Sequence, residues 1–299
     1  MPLGSYVYFL HGFRSENISK IELSENLDLR PINNNDKAVL SLPRTISLYD
    51  IGMINSSTHV LEVRIFDERD ADKMAHSVAY DAISALRLFK MAKIGTHYYY
   101  SKKNKHPGLI GFFGPLNTTQ IWYLTRVYQL EDEEAEPFKS FFTVFRGVKR
   151  DNRMEFALRW FNSAYSTMTP TDILLNYVIS LEALYLSGES EKGFRLRTYM
   201  TSFLGKNSTN RGSEIWSYIK EAYNLRGSIV HGNALLPEEI TLEKIGKVSI
   251  LDFLMKLELY TRESIRKFIQ LKAKDPSLDI LKTIERSFYD EKEKQKLRV

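Results

Sequence analysis

The first half of the chain contains short segments in which apolar and polar residues alternate. Residues 60–66 place apolar side chains at every second position, which is the period of a strand with one buried face. Apolar segments at residues 6–10, 96–100 and 121–124 predict further strands. Over residues 70–92 the apolar positions recur instead at three- and four-residue steps, as in an amphipathic helix. The pattern therefore predicts a module of mixed α and β structure.

The second half follows a helical period almost throughout, with proline and glycine at the breaks. The predicted helices are residues 138–148, 152–165, 171–186, 194–204, 213–230, 238–274 and 278–296. An acidic segment, residues 131–136, precedes them and marks the change of pattern. We therefore predict fold class α+β, with a mixed α/β module over residues 1–135 and an all-α helical bundle over residues 136–299.

Composition places the chain among ordinary globular proteins, with 43% hydrophobic and 26% charged residues. The absence of cysteine excludes disulfides, thiolate metal sites and a cysteine nucleophile. A net charge of +5 permits a nucleic-acid partner without requiring one. The longest uncharged segment, residues 106–125, holds too many proline, glycine and polar residues to span a bilayer, and no signal peptide is recognised. We expect a cytoplasmic protein without membrane contact.

Two of the predicted helices place a charge on or beside an apolar surface. Glu182 is the only charged residue between residues 173 and 188, a segment that is apolar on nearly every face. A carboxylate enclosed in this way needs a partner, because an isolated buried charge is too costly. Arg226 lies at the edge of the apolar stripe of a later helix. We therefore predict an ion pair between Glu182 and Arg226.

His231 follows Arg226 by five residues, so the two side chains point about 140° apart on an ideal helix. One helix face cannot present both residues unless the helix distorts at Gly227 or Gly232, or unless a second chain completes the site. Arginine and histidine at this spacing are a weak signal by themselves. The structural alternative is a histidine that ends a helix and an arginine that joins two helices through an ion pair.

Three segments of the second half, in this order, resemble the Apea-like branch of the HEPN domains. They are LLNYVISLEALYL, EKGFRLRTYMTSFLG and YNLRGSIVHGN, and the resemblance covers about residues 156–270. It implies a helical bundle that dimerises and brings the arginine–histidine pairs of two chains into a shared cleft, where many members cut RNA without a metal. One departure is Gly227, because active members often carry a polar residue directly after the motif arginine.

The resemblance implies a set of site residues in the late helices. Arg226 and His231 would be catalytic, with Glu182, Tyr223 and Asn224 in supporting positions. Cleavage by attack of the RNA 2′-hydroxyl needs a base, an acid and positive charge on the phosphorane, and requires neither a metal nor another cofactor. Histidine titrates near neutral pH, and arginine binds a phosphate as a fork.

The functional hypothesis is a homodimeric HEPN endoribonuclease that cuts RNA, such as tRNA or phage and host transcripts, in antiviral defence. The dimer would form through the helical domain. The alternative is a noncatalytic HEPN-like module that binds RNA or a protein partner, or that serves only for dimerisation. The two differ in the expected effect of mutation, because loss of a structural arginine lowers stability, whereas loss of a catalytic one leaves a folded, inactive protein.

Basic residues beside aromatic ones are further candidates for RNA contacts. Lys102 and Lys103 follow a run of tyrosines at residues 98–100, and Arg195 and Arg197 lie at the start of a predicted helix. Single-stranded RNA is commonly bound by such combinations of positive charge and stacking rings. A solvated surface explains the same residues, and that alternative stays open here.

Two more patterns lie near the start of the helix predicted at residues 70–92. Four acids there could hold a magnesium ion, although acids at a helix start are ordinary: Asp67, Glu68, Asp70 and Asp72. Arg69 and His76 repeat the spacing of an arginine–histidine pair without the segments that accompany the other pair. We expect Arg69 and His76 to lie on a solvated face of the helix.

Overall fold

The computed structural model describes most of the chain. The described residues are 2–40, 56–67, 69–92, 94–102, 110–112, 127–167, 169–188, 190–205, 209–232 and 235–298. They form two compact units, Met1–Arg146 and Gly147–Val299. Helices and strands both contribute, so the mixed α+β class predicted from the sequence is confirmed.

An antiparallel sheet forms the centre of the first unit. Its described strands, in spatial order, are β3 (Ile21–Ser24), β4 (Leu27–Pro31), β5 (His59–Ile65), β1 (Gly4–His11), β6 (Gly95–Ser101) and β7 (Ile110–Phe112). Two short strands, β2 (Phe13–Arg14) and β8 (Tyr128–Gln129), form a separate parallel pair. Strand β1 lies between β5 and β6, and its residues from Ser5 onward are buried on both faces, because Tyr8 contacts His76 on one face while Val7 and Phe9 cluster with Val39 on the other. This position explains its continuous apolar run.

The strands predicted at residues 6–10, 60–66 and 96–100 correspond to β1, β5 and β6. Each observed strand begins or ends within two residues of the predicted one, as is usual for element boundaries. The strand predicted at residues 121–124 lies outside the described residues.

Three helices complete the described part of the first unit: α1 (Asn34–Leu40), α2 (Ala71–Phe89) and α3 (Asp132–Gly147). The helix predicted at residues 70–92 is confirmed as α2, which packs against β5. Its buried face includes Ala75, Ala79 and Ala82, whose small side chains allow the helix backbone to approach the sheet.

The boundary between the units lies later than the sequence suggests. Most of the acidic residues at 131–136 lie in the first turn of α3, which holds Asp132, Glu133 and Glu134, and there negative side chains interact favourably with the helix dipole. On the same helix, Phe138 and Phe141 pack against Phe89 of α2. The division therefore follows Arg146 instead of residue 135, because tertiary contacts assign all of α3 except its last residue to the first unit.

The second unit is mainly helical. Its described helices are α4 (Asn152–Tyr165), α5 (Pro170–Tyr185), α6 (Lys192–Leu204), α7 (Thr209–Val230), α8 (Ile250–Lys274), α9 (Ile280–Arg286) and α10 (Glu291–Lys296). The central helix is α5, which contacts α4, α6, α7 and α8. A helix enclosed on most sides must be apolar on most faces, as the sequence of α5 is.

The prediction of an all-α second domain is wrong at residues 238–249. This segment forms a hairpin of β9 (Glu239–Leu242) and β10 (Gly246–Ser249), and α8 begins only after it. In β9, buried Ile240 and Leu242 alternate with exposed neighbours, which is the two-residue period of a strand. The segment is short and directly precedes a long helical pattern, so it was included in the predicted helix. Residues 278–296, predicted as one helix, are divided between α9 and α10. Every helix in the described ranges is too short or too polar to cross a membrane.

Candidate functional site

Glu182 and Arg226 form the ion pair that the sequence predicts. Glu182 lies in the last turn of α5 and Arg226 in the last two turns of α7, and these helices pack against each other. Nη2 of Arg226 is 3.6 Å from Oε2 of Glu182, with 30% and 18% of the side chains exposed. This distance is longer than a direct hydrogen bond. The two side chains therefore form a close ion pair without a short direct hydrogen bond.

The electrostatic surroundings of this pair include a lysine and a tyrosine. Burial raises the pKa of the Glu182 carboxyl above its usual range, although the positive charges of Arg226 and Lys192 oppose the shift. Burial likewise raises the pKa of Tyr223, and the charge of Glu182 adds to this effect. Tyr223 is therefore a protonated hydroxyl at neutral pH. Lys192, at the start of α6, is a contributor that sequence reasoning did not assign to the site.

Helix α6 approaches α7 closely at Gly193. A Cβ atom built on Gly193 would lie 2.7 Å from Cδ1 and 2.8 Å from Cε1 of Tyr223, which is closer than real Cβ atoms come to other atoms. The glycine thus lets the aromatic ring of Tyr223 lie against the backbone of α6. This contact places Tyr223 against the first turn of α6.

Replacing Gly193 by alanine is expected to destabilise the protein by about 1–3 kcal/mol, because the added methyl group overpacks the contact with Tyr223. Gly227→Ala is the matched control, since nothing lies within 4 Å of a Cβ atom at that helical position. There the same change should stabilise by about 0.5–1 kcal/mol. Urea denaturation followed by circular dichroism measures both. Equal effects of the two substitutions would contradict the close approach.

The end of α7 is regular around Gly227. The backbone N–H of His231 donates to the carbonyl oxygen of Gly227 at 3.1 Å, which is the ordinary i to i−4 helical bond. The chain leaves the helix at Gly232, whose φ of +71° is favourable only for glycine. No distortion between Arg226 and His231 therefore brings the two side chains onto one face.

The supporting residue Asn224 lies with His231 instead of Arg226. Both Asn224 and His231 are exposed, and a spacing of seven residues returns to nearly the same helix face. Arg226 is half-buried and is separated from Asn224 by two residues, or about 200° around the helix. The predicted set thus divides into Glu182, Tyr223 and Arg226 on one side of α7, and Asn224 and His231 on another.

Arg153 stabilises the end of the helix that carries Glu182. Its Nη1 donates to the carbonyl oxygens of Ala183, Leu184 and Leu186 at 3.1, 3.3 and 2.7 Å. Cations are favourable at the C-terminal end of a helix, where carbonyl groups lack helical partners. No local pattern marks Arg153 for this role, because its partners lie roughly 30 positions or more later in the chain.

The two arginines of α6 that were predicted to contact RNA have partners within the second unit. Arg195 lies 3.7 Å from Glu285 and donates to the hydroxyl of Tyr199 at 3.1 Å. The guanidinium of Arg197 lies 4.8 Å from the ring centre of Trp216 and 5.3 Å from that of Phe194. Both side chains therefore contribute to packing within the second unit, and their contact with RNA stays a prediction.

Of the two lysines of the first unit that were predicted to contact RNA, Lys102 has carboxylate partners. Nζ of Lys102 lies 3.3 Å from Glu62 and 3.5 Å from Asp36, so carboxylates within the unit already balance its charge. Lys103 lies outside the described residues. An RNA contact of Lys102 stays a prediction.

The acids near the start of α2 make ordinary contacts. Asp67 accepts a hydrogen bond from the side chain of Arg69, Asp72 accepts one from the hydroxyl of Tyr6, and Glu68 lies outside the described residues. Within the described ranges, no group of three or more histidine, cysteine, aspartate or glutamate side chains is arranged to hold a metal ion.

The prediction that His76 lies on a solvated helix face is wrong. Its Nδ1 is 2.7 Å from the hydroxyl of Tyr8, and its ring packs edge-on against Tyr99 at 4.8 Å. Burial lowers the pKa of His76, although Asp72 opposes the shift. Arg69, by contrast, is 91% exposed as predicted. The position of His76 is determined by Tyr8 and Tyr99, which lie on separate strands. The spacing of residues along the helix cannot predict such contacts.

No protein-family model, curated protein or solved structure matches this chain. The likeness to HEPN domains therefore depends on the three sequence segments.

Proposed function

We propose that the second unit is a metal-independent endoribonuclease of the HEPN type, active as a homodimer and serving in antiviral defence. The observation that carries the proposal is the pair of Glu182 and Arg226, held at 3.6 Å at the partly exposed end of α5. A guanidinium oriented by a carboxylate but not saturated by it is suited to bind a phosphate group.

The proposed reaction uses the RNA itself as nucleophile. A base removes the proton from a 2′-hydroxyl, whose oxygen attacks the adjacent phosphorus, and the 5′-oxygen leaves with a proton from an acid. The products are a 2′,3′-cyclic phosphate and a 5′-hydroxyl. In this scheme His231 transfers the proton, and Arg226 stabilises the negative charge of the phosphorane. Glu182 acts as a positioning residue for Arg226.

The regular end of α7 supports a site shared between two chains. Because the helix continues undistorted from Arg226 to His231, the side chains of one chain diverge by about 140°. Two copies related by a twofold axis could pair Arg226 of one chain with His231 of the other, as isologous interfaces allow. The proposed site therefore requires a homodimer.

The first experiment is cleavage of total RNA and purified tRNA by the full chain in the presence of EDTA, with analysis of the product ends. We expect 2′,3′-cyclic phosphate ends from the wild type and at least a roughly tenfold lower rate from Arg226→Ala, which loses a charged hydrogen bond to the phosphorane. Lys220→Ala is a matched control, because Lys220 is a cation on the same helix that pairs with Glu243 at the surface.

The two variants separate catalysis from structure. If Arg226→Ala is folded and slow while Lys220→Ala cuts normally, Arg226 acts in the reaction. If Arg226→Ala unfolds, Arg226→Lys replaces it as the test. The lysine keeps the positive charge but lacks the planar fork of the guanidinium, so this variant should remain folded and cut RNA more slowly. Cleavage that EDTA abolishes, or products with 3′-hydroxyl ends, would contradict the proposed reaction.

A second candidate function is association without catalysis. Val230, next to His231 in the chain, is 54% exposed, and Leu235 is 93% exposed. Exposed apolar surface that a partner can cover favours association. A chain that dimerises in analytical ultracentrifugation, and whose dimer Val230→Asp disrupts, while RNA stays intact under all conditions above, would support this alternative.

A further inference from the structure

The second unit contains a pocket lined by aromatic and acidic side chains. It lies between the first turns of α6 and the end of α9, two helices that contact each other, and its volume is about 510 Å³. We call it the aromatic pocket, and its lining residues include Glu191, Phe194, Arg195, Tyr199, Glu285 and Phe288. The Glu182–Arg226 pair takes no part in this lining.

Three rings contribute to the aromatic pocket. Tyr199 of α6 and Phe288, just after α9, are in contact, with ring centres 6.2 Å apart. Phe288 is 51% exposed. Phe194 is 50% exposed, although Trp216 and Arg197 contact its ring. Half-exposed phenylalanine rings around one concave surface form an apolar area that a ligand can cover.

The described lining residues carry an excess of negative charge. Glu285 accepts a hydrogen bond from the hydroxyl of Tyr199 at 2.7 Å and lies 3.7 Å from Arg195, so this carboxylate already has a cation beside it. Glu191 is exposed, and its side chain makes no capping hydrogen bond to the start of α6. Among the residues that the structure describes, its carboxylate forms no ion pair either. The positive end of the α6 dipole offsets only about half a unit of this charge.

We propose that the aromatic pocket binds the trimethylammonium group of a small molecule. The face of an aromatic ring attracts a cation, and quaternary ammonium ligands are commonly held by several rings together. The charge of Glu191 adds to this attraction. A quaternary ammonium suits the pocket better than a primary one, because its methyl groups contact the rings and it has no N–H groups that require acceptors.

The volume of the aromatic pocket favours a small molecule. About 510 Å³ lies within the range of small-molecule sites, which is roughly 300–1,000 Å³. A trimethylammonium group fills only part of this space, and the rest can hold the group attached to it. The inference does not depend on the proposed ribonuclease, because ammonium binding and RNA cleavage are measured separately.

Titration calorimetry of the full chain with choline, at neutral pH and constant ionic strength, tests the proposal. The matched control ligand is the neutral alcohol in which carbon replaces the nitrogen of choline, since it has the same shape without the charge. We expect saturable binding of choline, with the neutral alcohol bound about tenfold or more weakly. Equal affinities, or no saturable heat from choline, would overturn the proposal.

Two substitutions in the aromatic pocket locate the binding. Phe288→Leu keeps an apolar side chain but removes a ring, so it should weaken choline binding by about threefold or more while leaving the neutral alcohol unaffected. Glu191→Gln should weaken choline binding by about threefold through loss of its charge. Tyr289→Leu is the matched control, because Tyr289 is 81% exposed and does not line the pocket.

Circular dichroism establishes that each variant is folded. If Phe288→Leu unfolds, Phe194→Leu replaces it, since that ring is also half-exposed. Choline affinity in the tested ring variant equal to that in Tyr289→Leu would overturn the proposal.

A last comparison identifies the source of the trimethylammonium group. A peptide with trimethyllysine and vesicles of phosphatidylcholine carry the same group on larger partners. We expect neither to bind more tightly than choline. Binding about tenfold tighter to the peptide or to the vesicles would overturn the small-molecule assignment in favour of a protein or a membrane surface.

Discussion

Replacing His231 by alanine is expected to lower the rate of RNA cleavage by about 10²–10⁴-fold, which is the usual contribution of a residue that transfers protons in the transition state. His231 is exposed and lies one residue beyond the end of α7, so its removal deletes little packing. The fold should therefore persist. Single-turnover cleavage of tRNA with EDTA present, together with circular dichroism, measures both quantities.

Two controls test whether His231 transfers protons and whether the site is shared between two chains. Added imidazole should restore part of the activity of His231→Ala, because it supplies the missing base in solution. Mixing His231→Ala with Arg226→Ala should also restore about a quarter of the activity, since half of the randomly formed dimers would hold one intact site of two. No recovery on mixing would show that each site is built within one chain, against the shared cleft. An unchanged rate in His231→Ala would remove the residue from the mechanism.

Replacing Arg30 by methionine is expected to destabilise the first unit by about 3–5 kcal/mol, the usual effect of leaving a buried charge without its partner. Nη1 of Arg30 lies 2.6 Å from Asp36, and its Nε lies 2.5 Å from Glu62. The carboxylate of Asp36 is fully buried and also accepts a hydrogen bond from Tyr100. Methionine fills similar space but leaves Asp36 with the more distant cation Lys102, 3.5 Å away.

Amide hydrogen exchange of peptides from β4 and β5 measures this loss in the full chain. Arg69→Met is the matched control, because Arg69 is 91% exposed and the same substitution there should leave exchange unchanged. Similar exchange in both variants would contradict a structural role of the Arg30 ion pairs.

The same ion pairs predict loss of stability in acid. Burial by itself raises the pKa of Asp36, but hydrogen bonds, above all the one from Arg30, lower it overall to about 2. The unfolded value is about 3.9. Because the folded pKa is the lower one, the stabilisation is complete above about pH 4 and is lost as the pH falls towards about 2. This part of the acid dependence should be smaller in Arg30→Met.

The sequence alone determined the elements whose apolar period is strong and local. The helix at residues 152–165 was predicted with its observed bounds, and β1, β5, β6 and α2 were predicted within a few residues. The pairing of Glu182 with Arg226 also followed from the sequence, because a lone charge in an enclosed apolar helix must find a partner. These inferences use side-chain spacing and the cost of burial, which do not require knowledge of distant contacts.

Only the tertiary structure decided which partners satisfy the polar side chains. His76 contacts Tyr8, and Lys102 forms ion pairs with two carboxylates. These partners are distant from His76 and Lys102 in the sequence, so spacing along the chain could not predict either contact. The hairpin at β9 and β10 and the position of the boundary after Arg146 likewise depend on packing between elements. Local pattern determines which face of an element is apolar, whereas the partners of its polar groups are determined by the fold.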